Sequence, residues 1–297
     1  MDNMIKYDLH VHSNYSSDAT QTIEEIFQRA SLEGVKYLAI CDHDNIDSIP
    51  EATKVAALYS VVYIPGVELS CSTNEFTPLI PTNTGIHILG LNIQYDIDKF
   101  LETYESVKTE SKTRYKELIH LLTRIGYEIS LDEVQPLTSS NLKDVLVSKG
   151  FFSNRKEAKL FLNGDSITSI LPKVRLKIKD AIELIHELGG KAIWAHPYSG
   201  ENKLFFSHDQ VSQMMDYLIT QGIDGFEAFH LYTMGDGKTE NILNRTQKYN
   251  LIYTIGSDRH HSDNRYGEKY YSFEEKLIPY KKEIDNIEQI IEERLLK

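Results

Sequence analysis

The sequence predicts an α/β protein, a parallel barrel of repeated strand–helix units interrupted by a long helical insertion. Three observations carry that expectation. Short apolar runs alternate with amphipathic helical stretches along most of the 297 residues. Histidines and carboxylates follow those apolar runs one after another. Between about 96 and 188 the pattern changes to helix almost throughout.

Taken in order, Tyr7-Asp8-Leu9-His10-Val11-His12 reads as the first strand. Leu9 and Val11 share one face, and Asp8, His10 and His12 share the other, because a strand repeats every two residues. Thr22 with Glu25 forms a capping box that opens a helix. Ile23, Ile26, Phe27 and Ala30 give that helix an apolar face, and Gly34 stops it. Val35 to Cys41 is the next strand and ends in Asp42-His43-Asp44, which completes one βαβ unit. Asp47 is the expected cap of a helix carrying Pro50 in its first turn. Val61 to Ile64 is a strand with Glu68 just beyond it, and His87 to Leu91 is another that begins with a histidine.

The insertion, residues 100–175, is expected to lie over the mouth of the barrel formed by 1–99 and 176–297. Its caps are Ser130 with Glu133 and then Ser153. Strands return at Lys191–Ala195, Gly225–His230 and Leu251–Gly256, leading into His196, His230 and Asp258. A charged helix from Glu283 to Leu296 is expected to pack outside.

Composition narrows the function. Hydrophobic content of 41% and charged content of 26% suit a soluble globular protein. No apolar run approaches a membrane span, and no signal peptide is visible. Two cysteines, Cys41 and Cys71, make no disulfide framework, so a cytoplasmic location is the default. A net charge of −12 argues against an extended nucleic-acid surface, although it permits a small phosphorylated substrate held by metal ions.

The residues at the strand ends are His10 and His12, His43, Glu68, His196, Glu227 with His230, and Asp258 with His260. A lone histidine at a strand end is more often a structural hydrogen-bonder. Recurrence from strand to strand weakens that reading, because parallel barrels gather function at the carboxyl ends of their strands. Nitrogen and oxygen donors without paired cysteines suit zinc, manganese or iron. There are more of them than the four a single structural ion takes. Two or three divalent ions about 3.5–4 Å apart can share a carboxylate and a bridging hydroxide, the expected nucleophile for a phosphate ester.

In order, Asp8-Leu9-His10-Val11-His12-Ser13, Asp42-His43-Asp44, Pro65-Gly66-Val67-Glu68, His87-Ile88-Leu89-Gly90, Ala195-His196-Pro197 and Gly256-Ser257-Asp258-Arg259-His260 resemble the PHP (polymerase and histidinol phosphatase) family. The layout looks most like the stand-alone branch of nucleoside 3′,5′-bisphosphate phosphatases and related exonucleases. The resemblance implies a distorted (β/α)7 TIM-like barrel and three metals. His10, His12, Glu68 and Asp258 would hold the first; Glu68, His87 and His196 the second; Asp18, His43 and His260 the third. Asp18 falls one residue later than many relatives place that ligand, with Ser17 in the nearer position. His261 is the alternative to His260, and alternation with Asp258 favours His260.

The branch usually aims two cations at a second phosphate, where this chain has Leu137-Thr138-Ser139-Ser140 and Gly164-Asp165-Ser166. Arg175, Lys203 and Arg265 are the candidate substitutes, with Arg155 and Lys173 behind them. His230 is a candidate for substrate contact or proton relay. Asp42 and Asp44 are candidates to orient ligand imidazoles from behind, or else to cap the next helix. The expected function is metal-dependent hydrolysis of a small phosphomonoester or nucleotide. The alternatives are a 5′–3′ exonuclease on short RNA or DNA, and a catalytically silent metal-binding scaffold.

Overall fold

The computed structural model describes residues 6–16, 18–76, 78–80, 84–200, 204–261 and 276–297. Seven strands form one sheet in sequence order: β1 (Tyr7–Val11), β2 (Tyr37–Ile40), β3 (Val62–Ser72), β4 (Gly85–Leu91), β5 (Lys191–Trp194), β6 (Gly225–Phe229) and β7 (Ile252–Ile255). The sheet curls until its edges meet. Asp258 N–H donates to His10 O at 2.8 Å, and His12 N–H donates to Arg259 O at 2.9 Å. Asp8 adds its carboxylate to Ser257 N–H at 2.9 Å, which ties β1 to the loop after β7. The result is the expected distorted barrel.

One strand departs from the all-parallel expectation. β4 runs antiparallel to both β3 and β5. The switch occurs inside β3, which is longer than its apolar run suggests. Residues Val62 to Pro65 pair in parallel with β2, and Gly66 to Ser72 pair antiparallel with β4. Pro65 lacks an N–H and so sits where one ladder gives way to the other. A Cβ on Gly66 would lie 2.6 Å from Cys41 Sγ and 3.0 Å from Ile40 O, so glycine is what lets β2 and β3 approach there.

Helices cover the barrel. α1 (Ile23–Leu32) carries the Thr22–Glu25 capping box and buries Ile23, Ile26, Phe27 and Ala30 against Val11, Leu38 and Ile40. Each of Ile23, Ile26 and Phe27 contributes about 1.5–3 kcal/mol by leaving water, and the Ala30 methyl less. α2 (Ile49–Ala56) is capped by Ser48 and not Asp47, because Asn45 Oδ1 takes the Asp47 N–H at 2.7 Å and draws the chain into a turn first.

α3 (Ile97–Arg124) is 28 residues long and joins two cores. Phe100 and Tyr104 pack in the barrel core, whereas Leu118, Ile119 and Leu122 pack in a separate cluster. That second cluster is completed by α4 (Ser139–Ser148), α5 (Arg155–Leu162) and α6 (Asp165–Thr168). The Ser130–Glu133 box opens a 3-10 turn in place of an α-helix, and Asn154, not Ser153, caps α5.

α7 (Ile178–Glu187), α8 (His208–Thr220) and α9 (Lys238–Tyr249) return to the barrel. The carboxyl-terminal segment is broken into α10 (Lys281–Asp285), α11 (Ile287–Ile290) and a π turn at Ile291–Leu295. Among the described residues no helix is long and apolar enough to cross a membrane.

Candidate metal centre

The strand ends bring the sequence-predicted residues together around one carboxylate. Glu68 is fully buried in β3. Five imidazoles place a ring nitrogen against its two oxygens: His87 Nδ1 at 2.9 Å, His43 Nδ1 at 3.0 Å, His12 Nε2 and His196 Nε2 at 3.2 Å, and His10 Nε2 at 3.3 Å. Asp258 Oδ1 adds contacts of 3.1 Å to His12 Nε2 and 3.5 Å to His10 Nε2. His87 reaches this group although it lies near the start of its strand. Because β4 is reversed, its first residues lie beside the last residues of β3, with Ser70 opposite His87.

Proton positions on these rings follow from what stands behind them. His10 Nδ1 faces Glu227 Oε1 at 3.1 Å, His196 Nδ1 faces Ser199 O at 3.0 Å, and His260 Nδ1 faces Asp258 O at 2.9 Å. Each partner is an acceptor, so in its neutral form each ring carries its proton on Nδ1 and turns the Nε2 lone pair inward. Ser16 Oγ lies behind His12 Nδ1 at 3.2 Å. Neutral rings with inward lone pairs repel the carboxylate they face, and an ionised carboxylate has only about four lone-pair sites to share in any case. His43 Nδ1 and Glu68 Oε2 are 3.0 Å apart, yet neither has a hydrogen-bond partner. They converge on a common point and not on each other. That donor set fits divalent ions, which would relieve the repulsion.

Three overlapping groups have mutually close ligand atoms: His10, His12, Glu68 and Asp258; His43, Glu68 and His87; and His12, His43 and His260. Asp18 lies farther out, with its carboxylate oxygens 3.7 Å from His260 Nε2 and 3.9 Å from His43 Nε2, and its side chain is 40% exposed. His261 turns away to Thr20 Oγ1 at 3.1 Å.

Charge in the cluster is strongly redistributed. Burial opposes a charge on His10, but Glu68, Glu227 and Asp258 outweigh it and hold its pKa well above the ordinary value. His43 is likewise disfavoured by burial, and Glu68 and Asp18 raise it to about 10. Burial opposes ionisation of Glu68 too, yet His87, His10 and His43 hold its pKa well below the carboxylate range. Burial lowers His230 to about 4, with Glu227 and Asp258 offsetting it only in part, and His260 falls to about 4 through burial and the neighbouring His12.

The backbone is strained at two of these positions. His196 has φ of 32° and Asp258 φ of 54°, in the left-handed region that non-glycine residues seldom adopt. Gly256 is required by contact. A Cβ there would collide with His10 Cβ and Glu227 Oε1.

Several outer positions differ from expectation. Asp42 accepts from Ser13 N–H at 2.7 Å and Ser13 O–H at 2.8 Å, and so holds the loop after His12. Asp44 accepts from Ser70 N–H at 2.8 Å and Tyr104 O–H at 2.6 Å. Both brace backbone; neither hydrogen-bonds an imidazole or caps α2. The orienting carboxylate is Glu227, whose Oε2 also accepts His196 N–H at 2.8 Å. Its sequence signal was its place on the inward face of β6, three residues before His230.

His230 Nδ1 accepts from Tyr232 N–H at 3.2 Å, so its proton is on Nε2, 3.9 Å from Asp258 Oδ2 and without a hydrogen-bond partner. Arg175 lies beside Arg114, whose guanidinium binds the Leu171 and Pro172 carbonyls. Lys203 and Arg265 lie outside the described residues. Among the described residues, α4 and α5 bring lysines whose charge reaches the centre. Burial opposes ionisation of Asp18, but His43, His260, His12 and, behind them, Lys159 hold its pKa below the ordinary value. Lys143 is lowered by burial, Lys159 and Arg155, with Asp18 acting in the opposite sense.

A PHP domain signature matches residues 8–193. The chain is 30% identical over 260 residues to a 5′-3′ exoribonuclease of Haemophilus influenzae, covering 86% of this chain and 90% of that protein. It is 26% identical over 264 residues to a phosphoribosyl 1,2-cyclic phosphate 1,2-diphosphodiesterase of Eggerthella lenta, covering 85% and 93%. In fold it is similar to an amidohydrolase structure from Chromobacterium violaceum containing sulfate and no metal, with a TM-score of 0.66, 21% identity, and coverage of 87% of this chain and 89% of that one. The chain belongs to the PHP domain family.

Proposed function

We propose that this chain is a metal-dependent phosphoesterase acting on a small phosphorylated substrate such as a nucleotide. The observation that carries the reading is the buried Glu68 carboxylate ringed by five imidazole nitrogens, several with lone pairs turned inward. The ligands of three divalent ions (manganese, zinc or iron) would be His10, His12, Glu68 and Asp258; Glu68, His87 and His196; and Asp18, His43 and His260. Bound there, such ions supply Lewis acidity and a nucleophile at neutral pH.

The chain's own residues do the rest. Glu227, Ser199 O and Asp258 O fix the tautomers of His10, His196 and His260. His230 offers a neutral Nε2–H donor to a phosphoryl oxygen, fixed by the bond from Tyr232 N–H. Lys143 and Lys159 join Arg175, Lys203 and Arg265 as candidate cations for meeting substrate charge. Residues 100–175 form a helical subdomain that carries those lysines. Two buried free thiols, Cys41 and Cys71, suit a cytoplasmic setting.

A second reading is 5′–3′ trimming of RNA, favoured by the similarity to the Haemophilus exoribonuclease over 90% of its length. One experiment separates the readings. The chain is loaded in turn with manganese, zinc and iron, then offered nucleoside mono- and bisphosphates, sugar phosphates and 5′-phosphorylated oligoribonucleotides. Turnover of nucleotides beyond a His10→Ala/His12→Ala control supports the first reading. Progressive release of mononucleotides supports the second. Bound metal with no ester hydrolysed contradicts both and leaves a silent scaffold.

A further inference from the structure

We propose that Phe205 and Tyr232 form a stacking ledge that takes the nucleobase of the substrate beside the metal centre. The inference deepens the phosphoesterase reading and rests on it. Phe205 is 58% exposed, while its neighbour Phe206 is buried in the barrel core. The two rings point to opposite faces because the chain is extended here, with Phe205 bridged to Ser199 and Phe206 N–H donating to Tyr198 O at 3.2 Å. One phenylalanine therefore anchors the segment, and the other offers its ring to solvent.

That ring is not isolated. Phe205 meets Tyr232 edge to face with centroids 5.6 Å apart, Tyr232 meets His230 at 5.2 Å, and His230 meets His196 at 5.5 Å. A continuous row of rings thus leads from the Glu68 cluster to solvent. Its inner end is polar and its outer end apolar. The segment bearing Phe205 follows His196 directly, and Ser199, its bridge partner, also fixes His196 through its carbonyl. Ledge and centre are therefore held by the same backbone.

The ligand chemistry follows from the sequence of surfaces. A phosphate ester at the cluster would place its phosphoryl oxygens near His230 Nε2. One side chain farther out, the surface becomes aromatic, and a planar ring joined to the phosphate through a sugar spans that step. A simple sugar phosphate leaves the ledge bare. Stacking accepts any base, because every base has a π face, so the ledge selects for nucleotides without selecting among them.

The test measures binding to the zinc-loaded chain. The probe is 2-aminopurine riboside 5′-monophosphate, whose fluorescence is quenched on stacking, and ribose 5-phosphate is the competitor without a base. The expected result is quenching with the wild-type chain. Phe205→Ala should raise the probe Kd roughly tenfold or more with reduced quenching, and Phe205→Trp should retain both. The ribose 5-phosphate constant should stay the same in all three. Phe205 is exposed enough that its truncation spares the core, and Tyr232→Leu, checked by thermal melting, provides a second variant. Equal probe affinity in wild type and Phe205→Ala, a parallel loss for probe and competitor, or binding without quenching would overturn the ledge. So would failure of the wild type to bind the probe. A wild type that quenches the probe but hydrolyses no phosphate ester defeats the phosphoesterase reading and leaves the ledge standing.

Discussion

The two ends of the metal centre are built differently. At one end Glu68 and His10 are fully buried on strands with His12 buried just past the end of β1, and His10 and His196 are braced from behind by Glu227. At the other, Asp18 hangs from a loop with its side chain 40% exposed and its oxygens 3.7–3.9 Å from His260 and His43. Strand-borne donors are fixed by the barrel itself. Loop-borne donors depend on local contacts that water can replace. The contrast predicts a rigid end that tolerates no change and a pliable end that does.

Glu68→Gln should break the comparison most completely, because both ends contact that carboxylate through His12 and His43. Bound metal, measured by elemental analysis, should fall through loss of the ions at the two donor groups that contain Glu68. Hydrolysis should fall well beyond the ~10–100-fold that loss of an outer partner costs. Gly256→Ala comes next. Its methyl group collides with His10 and Glu227, so it should destabilise the fold by about 1–3 kcal/mol in chemical denaturation and disturb the rigid end alone. Unchanged stability would show that β7 yields there.

Glu227→Gln should keep the fold, release His10 from its fixed tautomer and lower activity by ~10–100-fold with most of the metal retained. Asp18→Asn should have the smallest effect, about tenfold on activity and a loss confined to one ion. A loss as large as that of Glu68→Gln would erase the distinction between the two ends.

The same contrast explains what the sequence reveals. His10 with His12 is legible because an extended chain sends alternate residues to one face; Asp258 and His260 also converge, but from the loop after β7, where Asp258 has φ of 54° and alternation does not apply. The α1 face of Ile23, Ile26, Phe27 and Ala30 is legible from helical periodicity. The reversal of β4 is not legible, since an apolar run looks alike in either direction. The reversal explains why His87 works from near the start of its strand. Glu227 stands in plain view in the sequence, but its hold on His10 is a contact between residues 217 apart. Lys143 and Lys159 look like ordinary solvated helix charges until the fold brings α4 and α5 toward Asp18. Asp42 and Asp44 mislead for the converse reason. They flank His43 in sequence, yet their carboxylates turn to Ser13 and to Ser70 and Tyr104.

Anomalous diffraction from metal-loaded crystals of the wild type and of Glu68→Gln tests the central claim most directly. The account predicts ions in the wild type at the three donor groups that share Glu68, His12 and His43, and loss of those touching Glu68 in the variant. Ions bound away from Glu68, or a variant loaded as fully as the wild type, would contradict it.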